Sequence, residues 1–409
     1  WSAERLQHQQ FEQLASVVGH AYRTVTYYRE RFDGVDLRPR DVATALRWHE
    51  IPVLTRRDIQ LAGEALHSSD VPREHGSTTQ TITSGSTGQP VAVTKTRMCD
   101  MLWRAFTLRD HLWHQRDFGE TLAAIRDTRD PVAKPPHGKL VVNWAFDAIP
   151  TGPRGMLGLN CSLDDQADWL QRIDPGYILA YPSLLAALAE RVETSEPQFS
   201  RLREVRCFGE LLDKSTRELL KASWKVPISD MYSCEEVGYI ALQCPEHEHY
   251  HVQSENVFVE VLRDDGSPCE PGETGRVVVT SLNNFAMPLI RYEILDFAEV
   301  GPPCPCGRGL PVLSRIVGRQ RNILTLPNGE RRWPTFAEVE RPEDLPPLFQ
   351  FQVIQKTLQE LEARVVRPGP FTPNEEQQMR NYLAYTLGHE FDIRFVYLDE
   401  IPRGPSGKF

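Results

Sequence analysis

The sequence predicts an α/β fold: a large N-terminal domain with mostly parallel sheets and a β-rich subdomain, and a small, mobile α+β C-terminal domain. Between residues 140 and 220, short apolar runs alternate with helical patterns, which is typical of βαβ units. After Val252 the pattern changes to strands separated by turn signals, which indicates hairpins. Near Gly318-Arg319 strand and helix patterns mix again. We therefore predict one domain over 1–318, with the β-rich subdomain at about 240–318, and a second over 319–409.

Length and charge limit the class of protein. The 409 residues, 40% of them hydrophobic, suffice for one large domain and a smaller one. A net charge of −10 argues against nucleic-acid binding, and the pairs Arg56-Arg57 and Arg331-Arg332 are interpreted as solvated surface. No apolar run approaches the roughly 18 residues of a membrane helix. With no signal sequence at the polar start, we expect a soluble cytoplasmic protein, either a monomer or a homodimer.

The N-terminal part of the chain carries helical patterns. Residues 5–32 have apolar side chains near helical spacing and predict one or two amphipathic helices. Thr55, followed three residues later by Asp58, predicts a capped helix start. Residues 98–113 predict a further helix with a buried face. The side chains expected on that face are Leu102, Trp103 and Phe106.

The later elements follow in order. Residues 91–94 predict a strand, and residues 375–387 a helix in the C-terminal domain. The apolar runs interpreted as middle strands are Leu140-Val-Val, Tyr177-Ile-Leu-Ala and Val205-Arg-Cys-Phe. The helical patterns between them begin near Trp169 and Ser183. The strands expected in the C-terminal domain lie at 349–354 and 393–398.

An uncharged loop, Thr83-Ser-Gly-Ser-Thr-Gly-Gln-Pro90, follows these first helices. Gly85 and Gly88 allow positive φ and a close approach of backbone N–H groups to a ligand, and the neighbouring hydroxyls add donors. These hydroxyls belong to Ser84, Ser86 and Thr87. The loop could therefore wrap a phosphate, although it lacks the Gly-Lys-Ser/Thr ending of a Walker A loop. Taken by itself, a polar surface turn explains the same residues equally well.

A second glycine lies at the end of a predicted strand, in Phe208-Gly209-Glu210. Ligands of parallel sheets bind beyond the carboxyl ends of the strands, where a glycine lets a flat base pack against the backbone. An ordinary turn from strand to helix is an equally good explanation on local grounds.

Five motifs in order resemble those of the acyl-adenylating superfamily, which includes acyl-CoA synthetases, nonribosomal adenylation domains and luciferases. The 83–90 octet resembles its phosphate loop, which implies contacts from residues 84–88 to ATP. Tyr232-Ser-Cys-Glu-Glu236 resembles its Tyr-Gly-x-Thr-Glu segment, implying that Tyr232 lies beside adenine and that Glu236 helps to hold Mg²⁺. Glu235 departs from the usual Thr or Ser. Gly209 and Glu210 are further candidates for nucleotide contacts, because they lie at the end of a predicted strand.

The remaining motifs lie towards the C-terminus. Asp296 matches the carboxylate that binds the ribose hydroxyls, a role that needs an acceptor for both. Gly318-Arg319 resembles the Gly-Arg before the family hinge, which implies that Arg319 lies near the ribose or phosphate. At the hinge position itself, Arg321 replaces the usual Asp or Lys. Pro402-Arg-Gly-Pro-Ser-Gly-Lys408 resembles the C-terminal motif and implies that Lys408 is the catalytic lysine. We expect Lys408 to be docked near the 84–88 loop.

Within the superfamily, the chain resembles the phenylacetate-CoA ligase branch. Residues 22–32 are similar to that branch's Tyr-Tyr-Arg opening, and Cys244, His251, Cys304 and Cys306 resemble a metal site in part of it. His247 and His249 are weaker candidates than His251. Three thiolates and one imidazole form a set typical of structural zinc, with no position open for water. The eight cysteines are too sparse for a disulfide scaffold.

The resemblance implies a two-step reaction. ATP activates a carboxylic acid as an acyl-adenylate, and the acyl group then passes to the thiol of coenzyme A after the C-terminal domain swings about the hinge. The aromatic pocket walls expected for an aryl or arylacetic acid are Trp144, Phe146, Tyr181, Phe208 and Met231. Alternatives are transfer to an amine or to a carrier-protein thiol, and a degenerate nucleotide-binding protein.

Overall fold

A computed structural model describes the chain except residues 43–46, 83–90, 129, 146–148, 192–198, 320–323, 333–344, 347, 349 and 402–409. The α-helices described are α1 (Ala3–Thr24), α2 (Thr26–Asp33), α3 (Pro39–Val42), α4 (Arg56–Ala62), α5 (Arg97–Trp113), α6 (Leu163–Ile173), α7 (Pro182–Ala189), α8 (Lys214–Trp224) and α9 (Pro373–Leu387). Of these, none is both long enough and apolar enough to cross a membrane.

The strands fall into a main sheet, two hairpins and a small C-terminal sheet. The first hairpin is β1 (Thr78–Ile82) with β2 (Ala92–Thr96). The main-sheet strands are β3 (Leu122–Arg126), β4 (Lys139–Val141), β5 (Arg154–Gly158), β6 (Tyr177–Ala180), β7 (Glu204–Phe208), β8 (Ile228–Cys234), β9 (Gly238–Gln243), β10 (Tyr250–Val252), β11 (Val257–Leu262), β12 (Thr274–Ser281), β13 (Tyr292–Val300) and β14 (Val312–Arg319). The C-terminal strands are β15 (Leu324–Thr325), β16 (Arg331–Arg332), β17 (Gln350–Gln355), β18 (Glu360–Val366) and β19 (Asp392–Tyr397).

The main sheet is mixed and has 12 strands in the order β11-β12-β13-β14-β10-β9-β8-β7-β6-β3-β5-β4. Strands β5, β3, β6, β7 and β8 are parallel, and every other pairing is antiparallel. The predicted α/β class is confirmed, but the β-rich segment continues the parallel sheet. The change of direction occurs between β8 and β9, where only residues 235–237 connect the strands. A parallel pairing would need a crossover of a dozen or more residues.

Helices cover both faces of the parallel strands. On one face, α6, α7 and α8 bury Trp169, Leu185 and Leu220 against alternate strand residues such as Ile125. On the other face, Phe106 of α5 packs in a cluster with Met231. Successive strand residues point to opposite faces, so the apolar runs supply both cores.

The hairpin β1–β2 lies directly beside the predicted phosphate loop. Its register pairs Ile82 with Ala92, so residues 83–91 form the connection between the two strands. Residues 83–90 themselves lie outside the described residues. The expectation of a strand following the loop is confirmed by β2.

The N-terminal helices pack onto the antiparallel part of the sheet. Thr55 and Asp58 form the expected capping box at the start of α4. The residue before the cap, Leu54, bridges to Tyr292 at the start of β13, and its amide donates to the carbonyl of Arg291 at 2.8 Å. The start of α4 is therefore fixed against β13.

The C-terminal segment forms a small α+β unit with its own core. Strand β18 pairs antiparallel with β17 and parallel with β19. Helix α9 connects the parallel pair and packs Leu383 and Leu387 against the sheet residues Leu361 and Ile393. A capping box at Thr372 starts this helix.

Candidate functional site

Three predicted nucleotide-binding residues lie together on strands β8, β13 and β14. The Tyr232 hydroxyl donates a hydrogen bond to Asp296 Oδ2 at 2.9 Å. Asp296 and Arg319 are partners across β13 and β14, and Arg319 Nε lies 3.4 Å from Asp296 Oδ1. Burial raises the pKa of Tyr232 well above its ordinary value, and the charge of Asp296 raises it further. The Tyr232 hydroxyl therefore keeps its proton and donates a hydrogen bond to the buried carboxyl group of Asp296.

Glu236 faces inward next to this group. Its Oε1 lies 3.6 Å from Nη1 of Arg56 and accepts a hydrogen bond from the Tyr292 hydroxyl at 3.4 Å. The Arg56 side chain is only 15% exposed, so its interpretation as solvated surface was wrong. The cap at Thr55 and the bridge of Leu54 to β13 place it there, and its spacing in the sequence gave no sign of this.

The neighbouring Glu235 points the other way. Its side chain is exposed, whereas that of Glu236 is buried. The carbonyl of Glu235 accepts a hydrogen bond from Lys95 Nζ at 2.9 Å. Lys95 belongs to β2, so this bond links the hairpin that flanks residues 83–90 to the turn that carries Glu236. Sequence reasoning did not identify Lys95, because the contact joins residues 140 positions apart.

Gly209 and Glu210 lie at the carboxyl end of β7. Gly209 has φ of 76°, which favours glycine. Glu210 Oε2 accepts a hydrogen bond from the amide of Ser183 in the first turn of α7 at 3.1 Å, where a negative charge is favourable. Its other oxygen is buried and accepts no hydrogen bond from the described residues. Contacts from these two residues to a nucleotide stay a prediction.

Three of the four described pocket-wall candidates lie together. The rings of Tyr181 and Phe208 stack with centroids 4.6 Å apart, and Met231 lies opposite Phe208 on the next strand. Trp144 is elsewhere: it is buried against Phe118, and its indole donates to the carbonyl of Glu120 at 2.9 Å. The structure therefore does not bring Trp144 together with the other three.

Several predicted residues lie outside the part of the chain that the structure describes. They are Ser84, Gly85, Ser86, Thr87, Gly88, Phe146, Arg321 and Lys408. The expected docking of Lys408 near the 84–88 loop involves two of these segments, and it stays a prediction.

Cysteines and histidines from two loops converge between β9, β10 and β14. Ligand atoms of Cys244, His249, His251 and Cys304 all lie within 4.8 Å of one another. The Sγ atoms of Cys244 and Cys304 are 4.0 Å apart, and Cys306 Sγ is 3.3 Å from His251 Nε2. The four predicted zinc ligands are thus neighbours, and His249 is a fifth donor.

This donor set fits a metal ion that prefers sulfur and nitrogen. Bonds of about 2.0–2.3 Å in a tetrahedral site separate the ligand atoms by roughly 3.3–3.8 Å, close to the spacing here. His251 is fully buried, and its Nδ1 has no hydrogen-bond partner among the described residues. Burial lowers the pKa of His251 to about 4, which keeps the imidazole neutral as metal binding requires.

A cavity of about 620 Å³ lies at the opposite edge of the parallel strands. Its wall includes Tyr177 and Glu204, the first residues of β6 and β7. The candidate nucleotide and acyl residues lie at the carboxyl ends of the same strands, so this cavity is separate from them. Pro245, Glu246 and Arg308, from the loops that carry the cysteine and histidine cluster, also line this cavity.

Sequence comparisons identify distant relatives over most of the chain. The family model described as CapK C-terminal domain matches residues 346–409. A phenylacetate-coenzyme A ligase of Escherichia coli is 24% identical over 435 residues, covering 98% of this chain and 93% of that protein. A phenylacetate-coenzyme A ligase of Thermus thermophilus is 25% identical over 397 residues, covering 90% and 83%.

Solved structures share the fold. A 2-hydroxyisobutyryl-CoA ligase in the postadenylation state, in complex with R3-HIB-AMP, matches with a TM-score of 0.73 and 17% identity, covering 96% of this chain and 86% of that one. O-succinylbenzoate coenzyme A synthetase from Bacillus subtilis, in complex with AMP, matches with a TM-score of 0.52 and 18% identity over 80% and 67%. The chain is therefore similar, over most of its length, to distantly related phenylacetate-coenzyme A ligases, and it shares the fold of solved acyl-CoA ligases.

Proposed function

We propose that the protein is an AMP-forming acid-thiol ligase that activates a carboxylic acid with ATP and transfers the acyl group to coenzyme A. The observation that carries this proposal is the group of Tyr232, Asp296 and Arg319. A tyrosine ring, a buried carboxylate and a guanidinium meet on strands β8, β13 and β14, with the Tyr232 hydroxyl 2.9 Å from Asp296 Oδ2. Adenine, ribose hydroxyls and phosphate are the ligands that these three groups would bind.

In the first step, a carboxylate oxygen of the acid attacks the α-phosphorus of ATP. The bond from that phosphorus to the bridging oxygen breaks, and pyrophosphate leaves. We propose that residues 84–88 hold the departing phosphates and that Lys408 neutralises the charge converging on the reacting oxygens. The fixed link from Lys95 to Glu235 supports this proposal, because it fastens the strand after the loop to the candidate site.

Glu236 is the proposed magnesium ligand. Its carboxylate is buried beside Arg56 and Tyr292, and a carboxylate oxygen is a ligand that Mg²⁺ accepts. Magnesium, when bound with ATP, supplies positive charge to the phosphate oxygens. In this proposal Tyr292 and Arg56 orient Glu236.

In the second step, the thiol sulfur of coenzyme A attacks the acyl carbon and AMP leaves. We propose that the C-terminal unit moves between the steps about the segment near Arg321, so that the domain boundary lies between residues 318 and 319. Strand β14 of the main sheet ends at Arg319, which supports a boundary close to this position. Transfer to an amine or to a carrier-protein thiol is the alternative second step.

We propose an aryl or arylacetic acid as substrate. The stacked rings of Tyr181 and Phe208, with Met231 on the next strand, offer a flat apolar wall for an aromatic acyl group. The similarity of the chain to the phenylacetate-coenzyme A ligases of Escherichia coli and Thermus thermophilus supports the same class.

For the metal cluster, we propose a structural zinc held by four of the five donors. Such an ion, when bound, holds its ligands in a fixed tetrahedron. Cys244 and His251 lie at the facing ends of β9 and β10, and Cys304 and Cys306 lie in the loop before β14. The ion would therefore brace three neighbouring strands away from the reaction.

A panel of carboxylic acids, scored by pyrophosphate release with and without coenzyme A, tests the proposal. We expect release that requires an acid, thioester formation only with coenzyme A, and loss of release in Lys408→Ala. Release followed by transfer only to an amine or a carrier protein would select the alternative acceptor. ATP binding without release for any acid would show a nucleotide-binding protein and reject the enzyme.

A further inference from the structure

An arginine side chain lies beside the proposed magnesium ligand. Nη1 of Arg56 is 3.6 Å from Oε1 of Glu236, and the two side chains are only 15% and 10% exposed. This separation is longer than a hydrogen bond, so attraction between opposite charges holds the two groups together. Arg56 therefore supplies a positive charge at the place where magnesium is proposed to bind.

The backbone before Arg56 fixes where its guanidinium lies. Leu54 bonds to β13 in both directions: its amide donates to the carbonyl of Arg291 at 2.8 Å, and its carbonyl accepts from the amide of Glu293 at 2.9 Å. The next arginine, Arg57, is exposed. The fold thus turns one of two adjacent arginines inward, although a buried guanidinium is costly without an anionic partner.

The guanidinium of Arg56 and a magnesium ion would share one carboxylate. Glu236 carries a single negative charge, and both neighbours are cations in a place with little water to screen their repulsion. A polyanion that lies against both cations removes this conflict. The phosphate chain of ATP is such a polyanion, and a planar guanidinium binds phosphate oxygens through paired hydrogen bonds. Glu236 keeps its hydrogen bond from the Tyr292 hydroxyl if Arg56 turns away.

The surroundings of Glu236 indicate which phosphates are involved. The residue follows directly after β8, the strand of Tyr232, which is the candidate neighbour of adenine. Lys95, on the hairpin that flanks residues 83–90, donates to the carbonyl of Glu235 at 2.9 Å. The turn that carries Glu236 therefore joins the strand of the candidate adenine residue to the hairpin of the candidate phosphate loop. The outer phosphates of ATP are expected on this side of the nucleoside.

We propose that Arg56 leaves Glu236 when ATP and magnesium bind, and that it then contacts the β- and γ-phosphates and the pyrophosphate formed from them. This inference rests on the proposed function, in which Glu236 holds Mg²⁺ and ATP is cleaved to pyrophosphate. Arg56 is then a catalytic residue, because it neutralises the charge that develops on the leaving group as the bond to the α-phosphorus breaks. Before ATP binds, the same guanidinium balances the buried charge of Glu236.

Calorimetric titration with inorganic pyrophosphate in the presence of Mg²⁺ tests the inference, with AMP as the second ligand. In Arg56→Gln the affinity for pyrophosphate should fall roughly 10- to 100-fold, the range for losing hydrogen bonds to a charged group. AMP should bind as in the wild type, because it lacks the outer phosphates. Arg56→Lys should retain part of the affinity, since it keeps the charge without the paired donors. Arg57→Gln is the matched control and should bind both ligands normally.

A double variant separates contact with phosphate from orientation of Glu236. Glu236→Gln removes the proposed magnesium ligand, and adding Arg56→Gln to it leaves no buried charge without a partner. If Arg56 contacts the phosphates, the double variant should bind pyrophosphate more weakly than Glu236→Gln does. Equal affinity in these two variants would make Arg56 a positioning residue only and overturn the inference, while pyrophosphate release by the wild type would keep the ligase function. A wild type that binds neither pyrophosphate nor AMP would reject both.

Discussion

At the scale of single residues, burial decides which of several similar side chains can take part in chemistry. Glu235 and Glu236 are adjacent, yet one is exposed and the other is buried between Tyr292 and Arg56. The family resemblance predicts Glu236 as the carboxylate that helps to hold Mg²⁺, and the structure buries this side chain. The resemblance did not reveal Arg56, because the partner of Glu236 comes from a helix 180 residues earlier in the chain.

Asp296→Asn should weaken ATP binding roughly 10- to 100-fold, since a hydrogen bond to a charged group contributes about 1.5–3 kcal/mol. The neutral amide keeps the shape but loses the charge that Arg319 and the Tyr232 hydroxyl contact. Isothermal titration with ATP measures the change. Glu299→Gln, on the same strand and also paired with an arginine of β14, is the control. Equal affinity in Asp296→Asn would exclude a ribose-binding role.

Asp230→Asn should change how stability depends on pH. Burial raises the pKa of Asp230 to about 6, from an ordinary value of 3.8, although Tyr250 donates a hydrogen bond to it at 2.6 Å. The folded state therefore favours the protonated carboxyl, and that contribution to stability is lost as pH rises from about 4 to about 6. Above this range the buried charge costs about 3 kcal/mol, since one pKa unit corresponds to about 1.4 kcal/mol.

The variant removes this titration. The free energies of unfolding of both proteins are measured with urea at pH 4.5 and at pH 7. Between these two values the wild type should lose about 2 kcal/mol more than the variant does. A difference between the two proteins that is independent of pH would contradict the prediction.

At the scale of elements, local sequence signals determine where a helix starts. Long-range strand contacts determine which residues the first side chains of that helix contact. The capping box at Thr55 was predictable, because the cap satisfies amides at the end of its own helix. The position of Arg56, which this cap helps to set, was not predictable. The bridge of Leu54 to Tyr292 turns the first residue of α4, Arg56, towards Glu236.

Thr55→Ala should destabilise the fold by about 1 kcal/mol, the typical effect of losing an N-cap. Because Arg56 is the next residue, we also expect weaker ATP binding in this variant. Thermal unfolding and ATP titration measure the two effects. Thr55→Ser, which keeps the hydroxyl, is the control and should behave like the wild type. An unchanged melting temperature in Thr55→Ala would show that the cap does not stabilise the start of α4.

Removal of the proposed zinc ion should destabilise strands β9, β10 and β14, which its ligands connect. Treatment with a chelator, or Cys244→Ala, should lower Tm by roughly 5 °C or more, since about 1 kcal/mol corresponds to a few degrees in a large domain. Metal analysis of the purified protein should find about one zinc ion per chain in the wild type. Cys161→Ala, outside the cluster, should keep the metal. A metal-free protein of undiminished stability would exclude a bracing role.

At the scale of the whole molecule, the proposed reaction divides between two parts of the chain. The C-terminal unit has its own core around Leu361 and Leu383, which allows it to move as a body. The catalytic lysine is predicted on that unit, whereas the candidate nucleotide residues Tyr232, Asp296 and Arg319 belong to the main sheet.

Lys408→Ala should therefore separate the two steps. We expect pyrophosphate release to fall roughly 10²–10³-fold, the range observed for losing one group that stabilises a transition-state charge. Thioester formation from a supplied acyl-adenylate and coenzyme A should change little, and rapid-quench measurements of both half-reactions test this. Equal losses in the two half-reactions would contradict a role confined to adenylation.

The sequence by itself determined the α/β class, the capped helix starts and the order of the motifs, because spacing, caps and turns depend on neighbouring residues. It also gathered the cysteines and histidines into one candidate set. Only the tertiary structure decided that the antiparallel strands β9–β14 continue the parallel sheet. It also decided that Arg56 and Lys95 contact the turn at Glu235-Glu236, and that Trp144 lies apart from Tyr181 and Phe208. These contacts join strands and helices far apart in the chain. Their geometry follows from sheet register and packing, which no local pattern encodes.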